Sequence, residues 1–117
     1  MSPEAFETTT RRDADGATVV LTARGQLDIA TVHLLRAPVT AAVGDGDGTV
    51  VVDLSDVDFF ASVGIDVLLR AHEATRRGGG TLRVVVPRLI RRTLTSVGLA
   101  QVLDLHDTLT DALATTS

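Results

Sequence analysis

The sequence contains no cysteine, no lysine, no tryptophan and no tyrosine, and its only aromatic side chains are three phenylalanines. Without cysteine there are no disulfides and no thiolate metal sites. Without lysine neither a phosphate-binding P-loop nor a Schiff base can form, since both need the ammonium group; all 11 basic residues are arginine. Three phenylalanines are too few for a platform on which bases or sugars stack. Positive charge is also in deficit, because a net charge of −4 argues against a general nucleic-acid binder with its basic face. No apolar run approaches the roughly 18–20 residues that cross a bilayer. The stretch from Ser2 to Asp13 is polar and of mixed charge, unlike a secretory leader. The expectation is therefore a cytoplasmic protein.

What is present suits one domain. A chain of 117 residues supports a single hydrophobic core, and a hydrophobic content of 44% excludes disorder over most of its length. One domain is expected over 1–117, with its core at about 17–113 and loose ends at 1–4 and 115–117. Residues 5–11 read as an edge strand, Asp15-Gly16 as a hairpin turn and 17–24 as the partner strand. A helix is predicted over about 31–43 with the stripe Val32, Leu35, Val39 and Ala42. Pro38 inside it removes one backbone bond. The loop Gly44–Gly48 resembles a fragment of a calcium loop but lacks its terminal glutamate and flanking helices, so it reads as a flexible turn.

The rest is arranged around Thr49 to Leu69. Val50, Val51 and Val52 form a β-branched run of the kind buried on both faces of a parallel or mixed sheet. An acidic connection with Asp53, Ser55, Asp56 and Asp58 follows, then Phe59-Phe60 and the turn Ala61-Ser62-Val63-Gly64. From Ser62 onward the period is helical. Asp66, Arg70, Glu73 and Arg77 form a solvated stripe, with Asp66–Arg70 and Glu73–Arg77 as i,i+4 pairs. Val63, Val67, Leu68, Ala71 and Ala74 lie opposite. Ser62 thus falls at a helix N-cap, a position where a hydroxyl contributes about 1 kcal/mol and where anions are favoured.

Gly78-Gly79-Gly80 ends this helix; it follows a helix and precedes a strand, the reverse of a phosphate cradle. A buried strand is predicted at Leu82–Val86. Pro87 opens a helix with Ile90, Leu94 and Val97 inside and Arg88, Arg91 and Arg92 outside. A strand at Val102–Leu105 and a short helix capped by Asp107 complete the chain. His33, His72 and His106 lack ligand spacing, so no metal site is expected. No Gly-x-Ser-x-Gly elbow is present.

The order strand, Asp53-Leu54-Ser55, Phe59-Phe60, Ala61-Ser62-Val63-Gly64 and amphipathic helix resembles the STAS domain of anti-sigma factor antagonists. Gly25-Gln26-Leu27-Asp28 is similar to the Gly-x-Leu-Asp that closes the second strand in that family, and Pro87 to Leu113 is similar to its C-terminal third. The likeness spans roughly Val19 to Leu113. It implies an α/β fold: a mixed sheet of about five strands with about four helices mainly on one side. It also implies a binding protein rather than an enzyme, with no cofactor of its own. By the resemblance the chain binds a serine-kinase-type anti-sigma factor and releases its sigma factor. Ser62 would be the phosphoacceptor of that kinase, and a serine phosphatase would reverse the modification. The partner-binding residues so implied are Asp28, Asp58, Ala61, Ser62, Val63, Gly64, Asp66 and Arg70. The family usually reads Asp-Ser-Ser-Gly at this helix start; Ala61 and Val63 stand here for the aspartate and the second serine.

A plain structural role competes with each functional one. Ser62 and Asp28 also serve as helix caps, Asp58 as a solvated loop charge, and Asp66 with Arg70 as a surface ion pair. A second reading of the same fold is a STAS interaction module that is never phosphorylated, such as a subunit of a lipid-transport ABC system or a signalling scaffold. A phospho-accepting receiver domain is a third; it needs a lysine, which the chain lacks.

Overall fold

The hairpin at Asp15-Gly16 starts the fold. The Asp15 carboxylate accepts the backbone N–H groups of Ala17 (2.9 Å) and Thr18 (3.0 Å) and the Thr18 hydroxyl (2.9 Å). These bonds, the Thr18 N–H first, hold its pKa below the ordinary carboxylate value. The structure is a computed structural model that describes residues 6–114; the expected loose ends at 1–4 and 115–117 lie outside the described residues. The elements are β1 (Phe6–Arg12), β2 (Thr18–Leu27), α1 (Val32–Val43), β3 (Thr49–Phe60), α2 (Val63–Gly78), β4 (Thr81–Val85), α3 (Arg88–Ser96), a 3-10 turn (Leu99–Gln101), β5 (Asp104–His106) and α4 (Leu109–Ala114). The strands lie in sequence order in one sheet; β1 is antiparallel to β2 and every other pair is parallel.

The valine run explains the layers. Val50 and Val52 face one side with Leu21, Ala23, Leu82 and Val84, where α1, α2 and α3 cover them through residues such as Leu35, Leu68 and Leu94. Val51 faces the other side with Val20 and Val85, beneath Ala112, Leu109 and Leu113 of α4. Three helices therefore sit on one face and one on the other, matching the expected mixed sheet. Arg83 of β4 is buried on the α4 side, and its Nη1 donates to the Ala112 carbonyl at 3.1 Å. That bond fastens the last helix to the sheet.

Several local expectations change. The acidic connection Asp53–Asp58 is strand, because β3 runs on to Phe60 and β2 to Leu27. Relative to β2, β3 carries one extra residue between Asp53 and Asp56 and another between Val57 and Phe59. Such bulges break the two-residue alternation by which a strand is read. Asp53 is buried there, accepting the Ser55 N–H (3.0 Å) and hydroxyl (2.6 Å). On α2, Glu73 pairs with Arg76 (2.9 Å) rather than Arg77. Val97 is exposed rather than inside, since α3 ends at Ser96 and Gly98 turns the chain with φ +82°. The last strand starts at Asp104, leaving Val102 exposed. Asp107 pairs with Arg91 (3.0 Å), so Arg91 is not merely solvated, and the Thr108 hydroxyl accepts the Asp111 N–H (3.0 Å) as the cap of α4.

The 44–48 loop is docked rather than free. Its Gly46 and Gly48 carbonyls accept the N–H groups of Gly80 (2.8 Å) and Thr81 (2.9 Å). Gly46 has φ +80°, and a Cβ there would collide with the Ala74 carbonyl. Gly46→Ala is expected to destabilise the fold by about 2–3 kcal/mol. Urea unfolding should show a lower midpoint with an unchanged slope.

Candidate functional site

Parallel strands end together, so β2, β3 and β4 deliver three loops to one rim. These are the Asp28 turn, the Ala61-Ser62 turn and Val86-Pro87. The first two are tied together, since the Ala61 N–H donates to the Leu27 carbonyl at 2.9 Å. The chain then turns into α2 through bonds from the Gly64 N–H to the Ala61 carbonyl (2.9 Å) and from the Ile65 N–H to the Ser62 carbonyl (3.0 Å).

Gly64 sets how closely this helix start approaches the sheet. A Cβ on it would collide with Leu27 Cδ2 and come within 2.6 Å of Phe60 Cζ. Ser62 occupies the N-cap position, but its backbone is already helical (φ −60°, ψ −22°) and its side chain makes no capping bond. An N-cap side chain reaches the free N–H groups from an extended backbone; from a helical one the Ser62 hydroxyl stands out into solvent. The expected structural cap is therefore absent. The hydroxyl has no duty in the fold.

Asp28 has one. Its Oδ1 accepts the N–H groups of Ala30 (2.9 Å) and Thr31 (3.1 Å), and its carbonyl accepts the Val32 N–H (2.8 Å). The Thr31 hydroxyl in turn donates to the Gln26 carbonyl (2.8 Å) and accepts the Asp28 N–H (3.0 Å). Asp28 thus builds the turn into α1 while lying on the same rim as Ser62.

The remaining residues are less tightly grouped. Ala61 and Val63 flank Ser62 half-buried, and Asp66 is exposed one turn along α2. Arg70 bonds Asp66 at 2.8 Å and lies about 12 Å along the helix from Ser62 at 1.5 Å per residue. Asp58 is exposed on β3 as the extra residue of the second bulge, not on a loop. Among the described residues no group of acidic or histidine side chains can hold a metal, and no helix is long and apolar enough to cross a membrane.

Three apolar members of the rim are not among the partner-binding residues expected from the sequence. Ile29 is 81% exposed, Leu89 63% and Phe59 52%. Each carried a signal. Ile29 precedes the α1 stripe, Leu89 lies off the Ile90–Leu94 stripe, and adjacent phenylalanines in a strand must face opposite ways.

Two substitutions separate the two polar residues. Asp28→Ala is expected to cost about 1 kcal/mol of stability. Ser62→Ala is expected to stay within about 0.5 kcal/mol of wild type. Chemical denaturation of both variants checks the contrast.

Comparison with known proteins agrees with this geometry. The family described as the STAS domain matches residues 6–112. Two anti-sigma-F factor antagonists of Mycobacterium tuberculosis, RsfA and RsfB, are each 34% identical to this chain. The RsfA match covers 84% of this chain and 79% of RsfA; the RsfB match covers 97% and 92%. The crystal structure of an anti-sigma factor antagonist from Mycobacterium paratuberculosis matches with a TM-score of 0.84 at 30% identity, over 96% of this chain and 94% of that one. With its five-stranded mixed sheet and its Ala-Ser-Val-Gly helix start, the chain belongs to the STAS domain family.

Proposed function

We propose that this protein is an anti-sigma factor antagonist. It binds a serine-kinase-type anti-sigma factor and frees the sigma factor held by it. Phosphorylation of Ser62 by that kinase ends the binding, and a serine phosphatase restores it. ATP belongs to the kinase, and no catalytic centre or cofactor is assigned to this chain. The likeness to RsfA and RsfB over most of both sequences supports the antagonist role. The observation that carries the switch is the Ser62 hydroxyl, exposed at the head of a 16-residue helix and free of any capping bond.

The proposed partner surface joins Asp28, Asp58, Ala61, Val63, Gly64, Asp66 and Arg70 to Ser62, with Ile29 and Phe59 added. Burial of exposed apolar groups supplies affinity at about 25 cal/mol per Å², and aromatic anchors concentrate it. A phosphate adds nearly two negative charges to a rim that already carries Asp28 and Asp66. The start of α2 accommodates that charge at its positive end, so the domain stays folded. Covering the charge with a docked partner costs several kcal/mol unless the partner supplies compensating groups. The unphosphorylated form therefore binds and the phosphorylated form does not. Ala61, in place of the family's usual aspartate, favours a second reading: a STAS interaction module that is never phosphorylated, such as a transporter subunit or scaffold.

Incubation with the cognate anti-sigma kinase and ATP, followed by intact-mass spectrometry, separates the two. The switch requires one added phosphoryl group on wild type and none on Ser62→Ala. An unmodified wild type beside a kinase active on another substrate would exclude it. Ser62→Glu is expected to weaken anti-sigma binding at least tenfold, or about 1.4 kcal/mol. Phe59→Ala should weaken it by about 2 kcal/mol with little change in stability, as calorimetric titration and thermal unfolding would show.

A further inference from the structure

The outer edge of β1 is long and open. This strand is the outermost of the sheet, and Phe6–Arg12 pair with β2 without a register shift. At the hairpin the Asp13 N–H donates to the Thr18 carbonyl at 2.8 Å. In an antiparallel ladder, residues that bond across alternate with residues that do not. Residues 7, 9 and 11 therefore bond to β2, while Phe6, Thr8, Thr10 and Arg12 turn their N–H and C=O groups outward. Nothing among the described residues bonds these outward groups.

An open edge is a template for another strand unless its length or sequence prevents pairing. The other edges carry such protection. β5 is three residues long. Beyond Asp53, where β4 has ended, β3 carries two bulges and the like charges Asp56 and Asp58. β1 has no proline, no bulge and no lysine, and three adjacent threonines form its centre. Its charges also make the strand complementary to itself. When β1 meets a second β1 antiparallel about Thr9, all of Phe6–Arg12 pairs, and Glu7 falls opposite Arg11 of the second copy. A shift of one residue sends the paired side chains to opposite faces, and every other register loses the Glu7–Arg11 match. Glu7 and Arg11 occupy non-hydrogen-bonded positions, where side chains across strands stand closest. Their present partners, Arg24 (3.2 Å) and Asp13 (3.3 Å), are in exposed pairs, weak enough to be shared or exchanged.

We propose that β1 is a homodimer interface, pairing antiparallel with β1 of a second copy about Thr9 so that the two sheets become one. The outward residues of the two strands form about eight backbone hydrogen bonds. Thr9 meets its counterpart on the two-fold axis, Thr8 meets Thr10, and a Glu7–Arg11 ion pair forms on each side. Helix α1 adds an apolar strip beside the edge. Leu34 is 41% exposed and shares a helix face with Pro38 and Ala41, which line a depression with Thr10, Arg11 and Arg12. The axis brings the two strips alongside each other with the helices antiparallel. Because the paired strands run in opposite directions, the two Ser62 rims point to opposite ends of the joined sheet and stay open.

Sedimentation equilibrium of the full chain at up to about 1 mM is expected to show a monomer–dimer equilibrium. Arg11→Glu should weaken the dimer at least tenfold, and adding Glu7→Arg to it should restore affinity to within about threefold of wild type. Thr10→Pro removes an outward N–H that the monomer does not use; it should abolish association with little change in thermal unfolding. If Thr10→Pro fails to fold, the charge exchange still decides. The chain has no cysteine, so single cysteines report the register. Oxidised Thr9→Cys should cross-link across the axis, whereas Thr10→Cys, opposite Thr8 of the second copy, should not. A chain that stays monomeric at the highest concentration would overturn the proposal. So would a dimer indifferent to Arg11→Glu and Thr10→Pro, or equal cross-linking at both cysteine positions.

Discussion

Burial of β3 on both faces is the constraint on which the rest of the molecule depends. Val50 and Val52 need one apolar layer and Val51 needs another, so the strand is stable only with helices above and below it. The crossovers α1 and α2, with α3, supply the first layer. The second is thin: α4 contributes Leu109, Ala112 and Leu113. The Arg83 bond to the Ala112 carbonyl therefore has special weight, because it adds a buried polar tether where apolar contact is sparse.

The same strand carries the site. Its two bulges let it continue past Asp53 and bring Phe59 and Phe60 to the rim with opposite orientations. Phe60 packs inward beneath Gly64, and Phe59 stays exposed beside the loops that carry Asp28 and Ser62. The missing side chain of Gly64 sets the height of α2 over the sheet. The helical backbone of Ser62 keeps its hydroxyl out of the capping role. A residue at such a cap position without a capping bond can be altered at little structural cost.

Much of this was legible in advance, for definite reasons. Strand-helix alternation, the Gly-Gln-Leu-Asp and Ala-Ser-Val-Gly segments and the 3.6-residue stripe of α2 are local patterns, and each recurs in the structure close to where it was read. The errors fell where tertiary contact overrides local pattern. An acidic run became strand because bulges absorbed two residues. Glycines 44–48 and 78–80, read as separate turns, are one docked pair of loops. The cap expected from Asp107 went to Thr108 because Arg91 of α3 takes the carboxylate.

By itself the sequence determined the order of elements and the place of Ser62 at a helix start, because periodicity and turn chemistry act over a few residues; the fold class and the candidacy of Ser62 as a phosphoacceptor came from its resemblance to the STAS domain. It also excluded whole classes of chemistry through the side chains it lacks. Only the tertiary structure decided which polar residue is structural and which is free, as with Asp28 and Ser62. It alone gathered Ile29 and Phe59 onto one rim and docked the 44–48 loop against Gly80 and Thr81. Those features arise between segments far apart in the chain, where sheet register and helix packing, rather than local propensity, set which side chains meet.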